Sequence, residues 1–181
     1  MRLIRLVSIL FLLVFILNFT SARNLYGCQT LDVENEIYVL QNDIAASGTC
    51  LTIQANNVYL NLFGHKIVGN GEGTGVLNNG FDSFSVKYGK IENFSQGIYF
   101  NNSAHNLVTN NVLSTNDYAL SIAGSSNNTF SNNALYHNSN AFLISNSQTI
   151  ALLNNNISDN KASGIVVDSS TNNSFISNVV F

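Results

Sequence analysis

The spacing of apolar residues constrains this chain more than any other feature. One column runs Val39, Leu62, Val86, Val108, Phe130, Leu152 and Phe175, in steps of 23, 24, 22, 22, 22 and 23. A second runs Ile44, Ile67, Ile91, Leu113, Leu135, Ile157 and Val180, with the same steps. A third runs Leu31, Ile53, Val76, Ile98, Leu120, Phe142 and Ile165, in steps of 22, 23, 22, 22, 22 and 23. A shorter companion joins Phe100, Ile122, Ile144 and Val167. Columns kept nearly in lockstep over six turns mark a chain built by stacking one small unit.

Each column sits in runs short enough to be strands, often with alternation, as in Leu60 and Leu62 or Ile98 and Phe100. Gly, Asn and Ser lie between the runs. About 22 residues are too few for a helix hairpin with its turns and enough for three short strands and three bends. The sequence therefore predicts an all-β fold, a right-handed parallel β-helix solenoid of about 6–7 coils of 22–24 residues. Stacked parallel strands lie about 4.8 Å apart, so residues one repeat apart share a vertical line. A single coil buries too little apolar surface to offset its own ordering, and only its neighbours close the gap.

Composition supports the same picture. Hydrophobic residues make up 45% and charged residues only 9%, too apolar for a disordered chain. The surface must be made of amides and hydroxyls, and 31 of the 181 residues are asparagine. Asn110, Asn132 and Asn154 repeat at 22, as do Asn111, Asn133 and Asn155, and Asn116, Asn138 and Asn160. Asparagine tolerates the left-handed conformation of a sharp bend. Stacked amides also hydrogen-bond from coil to coil. Asn93, Asn101, Asn127, Asn156 and Asn172 lie in N-x-S/T sequons, a pattern that so Asn-rich a chain produces by accident.

Net charge is −3, and basic residues are concentrated near the start of the chain. Nucleic acid is excluded as a partner, because neutralising phosphates needs clustered Lys and Arg. Arg2 and Arg5, the apolar run Leu6 to Leu17, and the small residues Thr20-Ser21-Ala22 read as an export signal. An uncleaved anchor is the rival, although the run is shorter than the ~20 residues of a span. A lipobox at Leu25-Tyr26-Gly27-Cys28 is a second rival, set apart from the apolar run by Arg23 and interrupted by bulky Tyr26. The expected organisation is a signal peptide over 1–22, a cap with a first partial coil over 23–36, and β-helix over 37–181, stopping inside a coil. The expected location is secreted, extracellular or periplasmic, with membrane contact only through the signal peptide or anchor.

Cys28 and Cys50 are 22 residues apart, one coil. In-register stacking brings their Cα atoms within the ~4.4–6.8 Å that a disulfide needs, and export supplies an oxidising compartment. One bridge between the first two coils is expected.

The segments Ser47-Gly48-Thr49-Cys50-Leu51-Thr52-Ile53, Ala55-Asn56-Asn57-Val58 and Asn61-Leu62-Phe63-Gly64-His65-Lys66-Ile67 resemble the opening of NosD-like and related right-handed β-helix repeat proteins. Asn110-Asn111-Val112-Leu113 through Ala119-Leu120, Asn127-Asn128-Thr129-Phe130 and Gly164-Ile165 look like later units of that superfamily. The resemblance covers residues 28–181 and is specific for fold, not function. That superfamily includes carbohydrate-binding modules, sugar-cleaving enzymes, surface proteins and a periplasmic factor linked to copper-enzyme maturation. It therefore implies polysaccharide contact as a leading expectation.

Catalytic chemistry is harder to find. Glycoside hydrolysis needs two carboxyl groups about 5–9.5 Å apart. The acids after the export signal are Asp32, Glu34, Glu36, Asp43, Glu72, Asp82, Glu92, Asp117, Asp159 and Asp168, and none stacks on another in an adjacent coil. No arginine follows Arg23, which disfavours a lyase with an arginine base. His137 and Asp159 are one coil apart and form a candidate surface polar pair without a nucleophile in frame. His65 and His105 read as bend residues. Gly69 to Gly75 resembles a phosphate loop but lacks the following Lys and helix, and reads as a bulge. Tyr99, between Ile98 and Phe100, should point outward and is the candidate sugar-contacting aromatic; Tyr88, Tyr118 and Tyr136 are weaker candidates. No catalytic residue, metal ligand or cofactor is assigned. The expected function is a non-catalytic exported module that binds polysaccharide, a cell-surface glycan or another surface partner. The alternatives are a β-helix lyase or hydrolase, and a NosD-like accessory protein, which would want Cys, His or Met ligands.

Overall fold

The computed structural model describes residues 22–181. The expected export signal lies outside the described residues except for Ala22. Twenty-two short strands and no helix are present among the described residues. They form three parallel sheets, which wind as a three-faced solenoid of about seven turns. Face one has eight strands, from Arg23–Leu25 to Ser174–Ile176. Face two has seven, from Ile44–Ala45 to Val179–Val180. Face three has seven, from Gln29–Leu31 to Ser163–Asp168. The first turn passes from face one directly to face three, and the later turns visit faces one, two and three in order.

The second column stacks as its spacing predicts. Ile44, Ile67, Ile91, Leu113, Leu135, Ile157 and Val180 are register partners in succession on face two. The other two columns hold from Val86 and Val76 onward; before that the face-one column needs correction, and the face-three column keeps Leu31 under Ile53 but breaks between Ile53 and Val76. On face one, Tyr38 and Leu60 precede Val86, not Val39 and Leu62. On face three, Leu51 stacks on Val76, whereas Ile53 stacks on the buried Asn78. The reason is where extra residues enter. Leu60 to Ile67 spans seven positions between faces one and two, but Val86 to Ile91 spans five. Ile44 to Leu51 spans seven between faces two and three, but Ile67 to Val76 spans nine. Along face two these changes nearly cancel, leaving steps of 23 and 24, whereas Leu60 to Val86 is 26 and Leu51 to Val76 is 25, so the face-two spacing hides them.

The bulge expected at Gly69 to Gly75 occupies that longer turn between faces two and three. Gly73 has φ +67, and a Cβ there would strike the backbone of Gly48 and Thr49. Leu62, displaced from its column, is buried at the next corner, where a Cβ on Gly89 would collide with it.

The interior is apolar and aromatic. Phe84, Phe100, Phe130 and Phe142 are fully buried. Their ring centroids follow one another at 6.1, 5.8 and 5.8 Å, linking face one to face three through the centre.

The corners are polar inside as well as out. Asn110, Asn132 and Asn154 have φ of 56, 56 and 55 and are exposed, the left-handed role that their type allows. Asn111, Asn133 and Asn155, one residue further on, are buried. The Asn111 backbone N–H donates to Asn133 Oδ1 at 3.0 Å, and the Asn133 N–H to Asn155 Oδ1 at 3.0 Å. Asn116, Asn138 and Asn160 form a second ladder between faces two and three. Two further ladders stand between faces three and one: Asn106 with Asn128, and Ser103, Ser125, Ser147 and Ser170. Each side chain does for a bend what strand pairing does for a strand, satisfying backbone groups that burial would otherwise orphan.

Cys28 and Cys50 form a disulfide with a Cα–Cα distance of 4.4 Å. Closing a loop of this size stabilises by about 3 kcal/mol. The Cys28→Ser, Cys50→Ser double variant should lose about that much in guanidinium unfolding. An unchanged midpoint after reduction of the wild-type chain would show that the bridge adds nothing.

Candidate functional site

A shallow groove of ≈ 370 Å³ on face one is lined by both aromatic and basic side chains. Its volume lies within the range of small-ligand sites. Register builds it. Tyr59, Ser85 and Leu107 are successive partners on the outer side, and Lys87 pairs with Thr109 one column over. Alternation explains their direction: Leu60, Val86 and Val108 point inward, so the residues beside them point out. Tyr59 is 50% exposed. His105 reaches the groove from the bend before face one, where its φ of 60 places it in the left-handed region. The lining thus combines a tyrosine face, hydroxyls at Ser83, Ser85 and Thr109, and two nitrogen bases, with no carboxylate.

Lys87 is exposed, and its ammonium lies 5.2 Å from the centroid of the Tyr88 ring. Among the described residues no carboxylate pairs with it. Lys66 and Lys90, on face two, share Glu92, with Nζ–O distances of 3.9 and 2.6 Å. The hydrogen bond from Lys90 to Glu92 holds that ammonium above its ordinary pKa. Asp43 caps the preceding corner by accepting the Lys66 backbone N–H at 3.1 Å, and faces His65 Nδ1 at 3.3 Å. The backbone hydrogen bond, against a little desolvation and with help from His65, holds the Asp43 carboxyl below its ordinary value.

His137 and Asp159 occupy one column at the corner between faces two and three. Both are exposed, with φ of 58 and 53, and no hydrogen bond or ion pair joins them. Asn93 and Thr115 stand at the same column with φ of 62 and 56, so the left-handed bend is what the column has in common. The His137 ring meets Tyr136 edge-on at 5.1 Å. Tyr99 is half-buried on the outer side of face three, between Leu77 and Ser121. Ser121 is buried there, and its hydroxyl has no partner. Tyr59 was not among the aromatic candidates read from the sequence, although its alternation with Leu60 points it outward.

The family model of the periplasmic copper-binding protein NosD matches residues 56–181, well over half of the chain. The chain belongs to the NosD family. A search of curated proteins found no match to it. Among solved structures, a glycosyl-hydrolase candidate from Parabacteroides merdae is similar with a TM-score of 0.57 at 11% identity, covering 80% of this chain and 82% of that one. The enzymatically active domain of tailspike protein 2 from bacteriophage CBA120 is similar with a TM-score of 0.56 at 14% identity. That match covers 87% of this chain and 29% of the tailspike chain. At such identities the two likenesses show a shared fold.

The description of the NosD family implies copper, and the donors of this chain do not fit it. Copper sites are built from thiolates, thioethers and imidazoles that converge. Both cysteines are in the disulfide. The sequence holds one methionine, Met1. His65, His105 and His137 lie at three different corners of the solenoid, between faces one and two, three and one, and two and three. Among the described residues no three His, Cys, Asp or Glu side chains gather as a metal would require.

Proposed function

We propose that this NosD-family chain is an exported, non-catalytic β-helix module that binds polysaccharide along face one. The observation that carries the reading is the groove in which half-exposed Tyr59 stands beside hydroxyl and amine donors. A tyrosine face suits the apolar C–H side of a sugar ring, and the surrounding donors suit its hydroxyls. Sugar cleavage would need two carboxyl groups flanking the bound chain. No acid lines the groove, and no two acids are neighbours in a column. The family's periplasmic description and the export signal read at residues 1–22 support a location outside the cytoplasm.

The test is retention on a panel of immobilised neutral and acidic polysaccharides, with reducing ends assayed in the same samples. Tyr59→Ala should weaken retention about tenfold, the scale of one aromatic contact with its burial. Loss with Tyr99→Ala and not with Tyr59→Ala would move the site to face three. Release of new reducing ends would overturn the non-catalytic reading, and retention by no polysaccharide would overturn the binding reading.

A further inference from the structure

The groove and the corner beside it gather most of the lysines of an acidic chain. After the export signal the chain carries ten acids and five Lys or Arg residues. Three of its four lysines, Lys66, Lys87 and Lys90, gather at one corner. Lys87 ends a strand of face one, Lys90 begins the next strand on face two, and only Tyr88 and Gly89 separate them. Tyr88 is 50% exposed between them. On face two, Glu92 offsets one of its two lysine partners, and Asp43, which accepts the Lys66 backbone N–H, offsets the other. On face one, Lys87 has no carboxylate partner, and His105 adds a second nitrogen base across the groove.

Resting on the polysaccharide reading above, we infer that the ligand is an anionic glycan bearing carboxylates, with Lys87 reading the charge and Tyr59 the ring. Charge complementarity supplies the argument. A neutral sugar offers an unpaired ammonium only hydroxyl acceptors, whereas each uronate residue brings a carboxylate, a stronger charge-assisted partner that an exposed Lys can meet without displacing an internal one. The path is continuous: from Tyr59 and His105, past Lys87 and over the Tyr88 ring, to Lys66 and Lys90. A glycan of several residues bound along this path meets Lys87 on one side of the corner and Lys66 and Lys90 on the other; the carboxylates beside it are already engaged, Glu92 by the two lysines, Asp43 by the Lys66 backbone N–H and His65, and Asp82 by the Ala104 backbone N–H.

The experiment uses the disulfide-intact chain and two polyuronides, polygalacturonate and alginate, each beside its carboxyl-reduced neutral form. Reduction removes the charge and keeps the linkages. Affinity is measured by titration calorimetry at low and at physiological salt. At low salt at least one acidic form should bind about fivefold tighter than its neutral partner, the scale of one exposed charge contact. That margin should shrink as salt rises and vanish in Lys87→Gln, while Tyr59→Ala weakens both forms. Equal binding of acidic and neutral forms would overturn the charge inference and leave the polysaccharide reading standing. A margin that survives Lys87→Gln would overturn the role of Lys87. Binding of neither form, with the wider panel also silent, would remove both readings together.

Discussion

Asn138→Leu is expected to lower the unfolding free energy by about 3–6 kcal/mol, although leucine is the more apolar side chain. Asn138 is fully buried. Its Oδ1 accepts the Asn116 backbone N–H at 3.0 Å and the Asn116 side-chain amide at 3.2 Å. Its Nδ2 donates to Leu113 O at 3.0 Å, Tyr136 O at 3.2 Å and Asn160 Oδ1 at 3.1 Å. Leucine offers neither donor nor acceptor. It would leave one backbone N–H and two carbonyls without the partner they have now, at about 1–3 kcal/mol for each that stays dry. Asn132, at the neighbouring corner, is the control. It is exposed and has φ 56, so Asn132→Gly keeps the left-handed bend and should change stability by less than about 1 kcal/mol. Guanidinium unfolding followed by circular dichroism compares the two. Equal losses would mean that the asparagines serve only as bend residues and that the interior ladder stabilises nothing.

That contrast also marks what could be read from the sequence. The ladders of Asn111, Asn133 and Asn155 and of Asn116, Asn138 and Asn160 were legible because one residue type recurs at one spacing. The ladder through Asn106 and Asn128 was not, because its column also holds Phe84 and Ile150, so nothing in composition marks it as one line. The second apolar column was legible from end to end. The early steps of the other two into Val86 and Val76 were not, since a step of 23 or 24 does not say which corner holds an added residue. Tyr59 could be seen to point outward from its alternation with Leu60. Its setting could not, because Lys87 and His105 become its neighbours only through register and a bend. His137 and Asp159 directly follow the register partners Tyr136 and Ser158. In their exposed, left-handed positions no hydrogen bond joins their side chains.

The vertical stacking itself is tested most sharply by one substitution made at two heights of one column. Phe130 and Phe175 both belong to the face-one line, with Leu152 between them. Phe130 is fully buried, and its ring lies 5.8 Å from both Phe100 and Phe142. Phe175 occupies the last tier and is 45% exposed. Phe130→Ala removes the ring that links two faces and leaves a void walled by stiff strands, which should cost about 3–5 kcal/mol. Phe175→Ala loses a side chain that is only half withdrawn from water, and should cost about 1–2 kcal/mol. In a solenoid each tier contacts only its neighbours, so damage should also be local. Amide exchange in Phe130→Ala should quicken first in the tiers of Val108, Phe130 and Leu152, while the disulfide-closed tiers of Cys28 and Cys50 keep their protection. Equal costs at the two heights, or exchange that quickens uniformly from end to end, would mean that the column does not stack tier upon tier. The groove on face one would then lose the register that brings Tyr59, Lys87 and His105 together.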